Sequence, residues 1–206
     1  MMPPTPPAIR RALRLATALL LVVAATLIAL IVAGVFDPQP AGSPVQRTSP
    51  GPLALESGGE MLARQPLPWP SPPTRYSVRL TAAHAAGATD SAYGLALGDG
   101  VTLTVAVSPL GEAAVWQTIA GDDEPRYLMP WQPWPHVRPG IAANEIWLDV
   151  RKLDDMARVT ARINRELLWE GEVEQMYPGV ALWLGSFGSR VSVDFQTLDW
   201  FAVTEE

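Results

Sequence analysis

A run of 22 residues without a charged side chain, Leu15 to Phe36, constrains this chain more than any other feature. The run reads LATALLLVVAATLIALIVAGVF. A helix needs ~20 mainly apolar residues to cross a hydrocarbon layer of ~30 Å. Because the run has no polar face, it does not match a helix packed in a soluble core. We therefore predict one transmembrane helix over residues 15–36.

The charges beside the run predict its orientation. The basic residues that precede it are Arg10, Arg11 and Arg14. After the run comes Asp37, and the next basic residue is Arg47. Because basic residues stay on the cytoplasmic side, residues 1–14 are expected in the cytoplasm and the remainder outside it. The predicted location is the cell membrane, single-pass, with an extracytoplasmic C-terminal domain.

A cleaved signal peptide is the alternative interpretation of the same run. The small residues Ala33 and Gly34 would then provide the processing site. The apolar part of a signal peptide normally spans only ~7–15 residues, which favours an uncleaved anchor.

Charge and cysteine content exclude several classes of partner and site. The chain has 15 basic and 21 acidic residues; three of the basic ones precede the first acid, so 12 against 21 remain, near −9. Such a balance argues against nucleic acid or an anionic membrane surface as a partner of the folded part. The absence of cysteine excludes disulfides, thiolate metal sites and a cysteine nucleophile.

Residues 37–59 are rich in Pro, Gly and Ser and lack apolar periodicity. A stretch of this composition buries too little surface to offset its ordering entropy. We predict an extended, semi-rigid tether.

From about residue 60 the apolar pattern has a period of two, which indicates strands. Tyr76, Val78 and Leu80 alternate with polar residues. Further short runs follow, each bounded by Gly, Pro, Asn or Asp: SAYGLAL, VTLTVAVS, GEAAVWQTIA, NEIWLDVRKL, ARVTARIN, ELLWEGEVE, GVALWLGSF and RVSVDFQTLDWFAV. This spacing predicts an all-β antiparallel sandwich over residues 60–206.

The order of these runs resembles the concanavalin A-like jelly-roll domains, especially the laminin-G-like and glucanase-like modules of secreted and membrane-anchored bacterial proteins. The segments that carry the resemblance are AYGLAL, WPHVRPGIAANEIWLDVR, VTARINRELLWEGEV, GVALWLGSF and VSVDFQTLDWF. It covers roughly Arg75 to Val203 and implies a jelly-roll β-sandwich. The fold hosts lectins, hydrolases and adhesion modules, so function has to come from the site.

One hairpin departs from the family pattern. In such domains a Gly usually follows the Asn of the turn, whereas Arg165 follows Asn164 here. A two-residue type I′ turn needs positive φ at both positions, so the sequence predicts a longer loop through Glu166. Ile163, Leu167 and Trp169 are the expected packing residues of this hairpin.

Glu170, Glu172 and Glu174 alternate like the carboxylates on a catalytic strand of glycoside hydrolases with this fold. Alternate residues on a strand point to one face, which could place a nucleophile beside an acid. The trio lies at the tail of the hairpin, and Glu172 stands where the motif has Asp. The preferred interpretation is a solvated outer face of an edge strand, so we assign no catalytic residue.

The ligand-binding candidates are Trp131, Trp134 and His136, which share a proline-stiffened loop. Aromatic rings on a rigid loop can stack on the apolar face of a sugar with little ordering cost. Coverage of the sandwich core by one or both indoles is the alternative. Trp183 lies out of phase with its apolar neighbours, which predicts that it faces the opposite side of its sheet.

Metal binding has weak support in the sequence. The only histidines, His84 and His136, have no partner at metal spacing, so no zinc site is predicted. Loop oxygens at Asp99–Gly100 or in the stretch 121–125 could bind calcium, although such loops are usually solvated turns. No cofactor is assigned.

The sequence thus predicts a membrane-anchored, non-catalytic recognition module for a carbohydrate or a cell-envelope component. Two alternatives remain: a protein-interaction or scaffolding ectodomain without sugar specificity, and a glycoside hydrolase.

Overall fold

A computed structural model describes residues 7–69, 71, 73–99, 101–121, 124–174 and 179–203. These fall into two compact units, residues 1–39 and 40–206. The first contains helix α1, Pro7–Val32. Its segment Arg11–Val32 is long and apolar enough to cross a membrane, a test that a signal sequence also passes. The helix ends at Val32, before the predicted Phe36, because Gly34 adopts a left-handed conformation with φ of 69°.

The second unit is built of strands. In chain order they are β1 (Ser43–Thr48), β2 (Gly51–Leu55), β3 (Gly59–Gln65), β4 (Arg75–Gly87), β5 (Ser91–Leu97), β6 (Val101–Val107), β7 (Glu112–Ile119), β8 (Arg126–Pro133), β9 (Asn144–Lys152), β10 (Met156–Ile163), β11 (Glu166–Glu174), β12 (Val180–Ser186) and β13 (Val191–Ala202).

These strands form two antiparallel sheets. The seven-stranded sheet has the order β1-β13-β4-β9-β10-β11, with β2 also paired to β13. The six-stranded sheet has the order β3-β12-β5-β6-β7-β8. The chain crosses between the sheets after β2, β3, β4, β8, β11 and β12, so neither sheet is built from one continuous run of strands. This arrangement confirms the predicted antiparallel jelly-roll sandwich.

The main core lies between the sheets and follows from the period-two pattern. On β5, Tyr93, Leu95 and Leu97 are fully buried and face the core, as Val78 and Leu80 on β4 do from the other sheet. Burying such side chains contributes roughly 1.5–3 kcal/mol each. Burial also raises the pKa of Tyr76, at the edge of this core, to about 12.

The segment predicted as a tether, residues 37–59, is mostly part of the sandwich. β1 and β2 pair successively with one edge of β13, opposite residues 198–202 and 191–195. Composition concealed these strands because their prolines occupy edge-strand positions, where a missing N–H is tolerated. Leu53 and Leu55 nevertheless alternate toward the core. The second unit therefore begins at Pro40 rather than residue 60.

An ion cluster ties β1 to its neighbours on the outer face of the seven-stranded sheet. Arg47 on β1 donates to both carboxylate oxygens of Asp199 on β13, at 2.5 and 3.0 Å. Arg79 on β4 donates to the same carboxylate at 2.9 Å. Burial alone would raise the pKa of Asp199, but the hydrogen bonds from Arg47 and Arg79 hold it below its ordinary value.

The hairpin between β10 and β11 differs from the prediction. Asn164 and Arg165 both have positive φ, 52° and 77°, and strand pairing resumes at Glu166. The turn therefore has two residues, and no longer loop forms. A bulge between Ala161 and Arg162 also shifts the register, so Leu168 is buried and Leu167 is 48% exposed.

Candidate functional site

The outer face of the six-stranded sheet carries a second hydrophobic cluster, separate from the main core. Its floor consists of small residues at alternate positions of four strands: Ala92, Ala96, Ala106, Ala114 and Ala181. Above this floor lie the rings of Trp116, Trp131 and Trp183, and the ring of Tyr127 contacts that of Trp116. We call these four rings the aromatic face.

Glycine and alanine allow two distant indoles on this face to meet. Trp183 on β12 and Trp116 on β7 are separated by β5 and β6, yet their ring centroids lie 5.0 Å apart at an interplanar angle of 78°. On β5 and β6, Trp183 is in register with Gly94 and Ala106, and Trp116 with Ala96 and Thr104, so small side chains lie between the two indoles. Gly94 is required for a second reason, since a Cβ there would lie 2.0 Å from the Val105 carbonyl oxygen.

Trp183 is fixed in this position by two contacts. Its Nε1 donates to Glu60 Oε2 on β3 at 3.0 Å. Its ring also lies over Gly185, where an added Cβ would come within 2.4 Å of the indole. Trp183 and Trp116 are only 7% and 6% exposed. They therefore support the aromatic face and offer a ligand little surface of their own.

Trp131 is the member of the aromatic face that also reaches a cavity. Its ring centroid lies 6.0 Å from that of Trp116. The cavity has a volume of about 290 Å³ and opens at the end of the sheet where β5 begins. The lining residues are Thr89, Asp90, Ser91, Ala92, Ser108, Leu110, Glu112, Trp131 and Phe187. We call it the end pocket.

The end pocket combines apolar walls with carboxylates. Leu110 and Phe187 are 61% and 72% exposed at its rim. The hydroxyls of Ser91 and Ser108 are engaged within the fold: one donates to Ala88 O and the other accepts from Leu110 N. The carboxylates are those of Asp90, which is exposed, and Glu112, which is half-buried.

The three predicted ligand-binding residues are not brought together. Trp131 lies on β8 and belongs to the aromatic face. Trp134 packs against the main core instead, as the alternative interpretation proposed. His136 is exposed, with its ring centroid 6.0 Å from that of Trp134. Trp131 and Trp134 thus lie in different hydrophobic clusters. Ligand binding by the three residues stays a prediction.

A buried amide network fixes the loop that holds Trp134 and His136. Asn164 Nδ2 donates to His136 O at 2.6 Å and to Asn144 Oδ1 at 2.8 Å. Asn144 donates in turn to Tyr93 OH at 3.1 Å and to Arg138 O at 2.9 Å. Burial raises the pKa of Tyr93, although the Asn144 hydrogen bond opposes this. The network has a structural role, since it closes the end of the core.

Glu170, Glu172 and Glu174 are exposed on β11, the edge strand of the seven-stranded sheet. Glu172 accepts a hydrogen bond from Arg158 Nη2 at 2.7 Å. Trp169, Gly171 and Val173 alternate with them, and Val173 belongs to the main core. The glutamates therefore point outward, as the edge-strand interpretation predicted.

Only some of the candidate calcium-binding residues are among those the structure describes. Asp99 forms an ion pair with Arg64, and Gly100, Asp122 and Asp123 lie outside the described residues. Among the residues that are described, no group of three or more His, Asp or Glu is placed to hold a metal ion.

Sequence reasoning missed most of this site. The phase prediction for Trp183 is confirmed, and the same test applied to Trp116, which lies between inward-facing Val115 and Gln117, would have found a second ring. Nothing local marked Asp90, Glu112 and Phe187, because they meet only through strand order.

No protein-family model matches the chain, and no curated protein matches it. Among solved structures it is similar to the metal-free carbohydrate recognition domain of Emp46p, with 8% identity and a TM-score of 0.46 over 76% of this chain and 87% of that one. It is also similar to a legume lectin-like domain from Entamoeba histolytica, with 12% identity and a TM-score of 0.46 over 82% and 92%.

An endo-1,3-beta-glucanase from Streptomyces sioyaensis is similar too, with 9% identity and a TM-score of 0.46 over 64% of this chain and 66% of that one. At such identities these are similarities of fold. The strand order described above shows an antiparallel β-sandwich of two sheets, of the jelly-roll type.

Proposed function

We propose that this protein is a membrane-anchored, non-catalytic glycan-recognition module that binds through the end pocket. The observation that carries the proposal is the double role of Trp131. One part of its ring packs in the aromatic face, and another part lines a pocket of about 290 Å³.

The packing of Trp131 supports a role in binding. Its contact with Trp116, itself in contact with Trp183, holds the indole before a ligand arrives. A fixed ring avoids the ~0.5–1.5 kcal/mol that immobilising a free side chain costs. Sugar rings have an apolar C–H face that stacks on such a surface, while their hydroxyls need polar groups at the rim. Asp90 and Glu112 provide those groups.

The outward positions of the central strands support a non-catalytic role. On β5 and β6 they are occupied by Ala92, Gly94, Ala96, Thr102, Thr104 and Ala106. A glycoside hydrolase needs two carboxyl groups ~5–9.5 Å apart across the scissile bond. The described part of these two strands presents no carboxylate on that face.

The membrane part of the proposal rests on helix α1 and on the arginines near its N-terminal end. Arg11–Val32 is long enough to span a bilayer, and the bias in basic residues orients the sandwich outward. An anchor of this kind would display the end pocket to envelope or extracellular glycans.

The test is a glycan array probed with the full chain in a detergent that lacks a sugar headgroup. We expect binding of one glycan class, weakened about tenfold or more by Trp131→Ala because the stacking surface is lost. Trp131→Phe should retain part of the affinity. The matched control is Leu167→Ala, which removes an exposed apolar side chain from the other sheet.

Three outcomes decide between the candidates. An unchanged glycan affinity in Trp131→Ala would contradict the end pocket as the binding site. Absence of binding to every glycan would favour the protein-interaction alternative. Release of reducing ends from a bound glycan, abolished by Asp90→Asn or Glu112→Gln, would favour the hydrolase, which is the second candidate because both carboxylates line the pocket.

A further inference from the structure

We infer that the end pocket selects a sugar that carries a free amino group over the same sugar in acetylated or carboxylated form. This inference rests on the proposed function and adds the chemical class of the ligand. It is argued from the charges of the pocket wall and from the serine hydroxyls, which are hydrogen-bonded to the backbone.

The charge of the pocket wall has one sign. Asp90 and Glu112 line it, and the nine lining residues, all within the described part of the chain, include no Lys, Arg or His. A carboxylated sugar would bring a third negative charge into this space without a countercharge. An ammonium group would instead meet two carboxylates.

The pocket offers few neutral polar partners. The Ser91 hydroxyl donates to Ala88 O at 2.7 Å, and the Ser108 hydroxyl accepts from Leu110 N at 2.9 Å. Both serine residues are buried, at 2% and 5% exposed. Thr89 is the remaining hydroxyl of the wall and is exposed, and as a neutral group it does not distinguish an ammonium from an acetamide by charge, so the charge selectivity comes from the two carboxylates.

Backbone contacts hold the two acidic residues in place. Phe187 N donates to Asp90 O at 3.1 Å, which joins the loop after β12 to the start of β5. Ser108 N donates to Glu112 O at 2.9 Å, which closes the turn between β6 and β7. These contacts fix the backbone positions of both residues on the rim that Trp131 also lines. An aromatic ring face also attracts a cation, so the apolar wall favours the same ligand.

The experiment measures the affinity of the full chain for three defined tetrasaccharides by calorimetry. They are the β-1,4 tetramers of glucosamine, of N-acetylglucosamine and of glucuronic acid. We expect the glucosamine tetramer to bind about tenfold more tightly than the acetylated one, since two partly exposed ion pairs contribute that order of difference. The glucuronic acid tetramer should bind more weakly than both. The preference should fall as salt rises to about 0.5 M.

The decisive variant is the double substitution Asp90→Asn and Glu112→Gln. It should reduce the preference for the amino sugar to about threefold or less. The matched control, Glu170→Gln with Glu174→Gln, removes the same charge from β11 on the other sheet and should keep the preference. Equal loss in both double variants would mean that the tetramer binds to overall negative charge, which would overturn the inference.

Failure here is distinguishable from failure of the proposed function. If the acetylated tetramer binds through Trp131 but the amino form binds no better, only the amino-sugar inference is wrong. If none of the three tetramers binds and the glycan array is also empty, the proposed function is wrong as well.

Discussion

At the residue scale, the turn at Asn164 and Arg165 shows a strained conformation that the surrounding contacts maintain. Asn tolerates the left-handed region, and Asn164 is also held by its amide hydrogen bonds. Arg165 has a φ of 77° and a Cβ, which costs roughly 1–2 kcal/mol.

Arg165→Gly should therefore stabilise the protein. Relief of the strain exceeds the added backbone entropy of glycine, ~0.5–1 kcal/mol, by a similar amount. The midpoint of thermal unfolding should rise by about 1–4 °C. Arg158→Gly, a strand position on β10, is the matched control and should lower it. A lower midpoint for Arg165→Gly would mean that the contacts of the arginine side chain outweigh the strain.

Single residues also show where sequence-based prediction ends. The phase of Trp183 could be read from its neighbours because strand side chains alternate. The exposure of Leu167 could not be predicted, since the extra residue Leu168, opposite Ala161 and Arg162, inverts the alternation along β11. The positive φ of Arg165 could not be predicted either. An arginine disfavours this conformation locally, but the hydrogen bonds of Asn164 hold the turn in it.

At the scale of elements, β1 is a strand that composition does not reveal, and its position depends on the Asp199 cluster. The folded pKa of Asp199 lies below its unfolded value, near 3.9. The contribution of such a carboxylate is fully present above the unfolded pKa and is lost as pH falls through the folded one.

Asp199→Asn should lower the free energy of unfolding by about 1–2 kcal/mol at pH 7. The difference from the unsubstituted chain should shrink as the pH falls below the unfolded pKa and vanish once the pH lies below the folded pKa, because the native carboxylate is then protonated as well. Urea unfolding over a pH series measures it. Asp194→Asn on the same strand is the control, and a pH-independent difference for Asp199→Asn would rule out the charge as its cause.

At the scale of the whole molecule, the sequence predicted the N-terminal apolar helix and the jelly-roll sandwich. It misplaced the boundary between tether and sandwich. The strand pattern after Arg75 is regular enough to define a sandwich. β1 and β2 lack that regularity because only Leu53 and Leu55 reach the core. The end pocket was out of reach, since Asp90, Glu112 and Phe187 belong to three separate turns or strand ends.

The boundary has a direct test. A chain that starts at Pro40 should be soluble and unfold cooperatively, whereas one that starts at residue 60 should aggregate. Without β1 and β2, one edge of β13 loses its hydrogen-bond partners, and an open edge invites pairing between molecules. Size-exclusion chromatography of both chains decides it. Equal behaviour would mean that these strands are dispensable, as a tether would be.

The position of β13 also determines when the sandwich can close. β13 lies between β4 on one side and β1 with β2 on the other, so the seven-stranded sheet lacks an inner strand until residues 191–202 have been synthesised. Arg47 and Asp199 are 152 residues apart. At ~5–20 residues per second, β1 waits roughly 8–30 s for its partner. The hairpins from β5 to β8 can form during this interval, whereas β1, β2 and β4 must be kept from pairing with other chains.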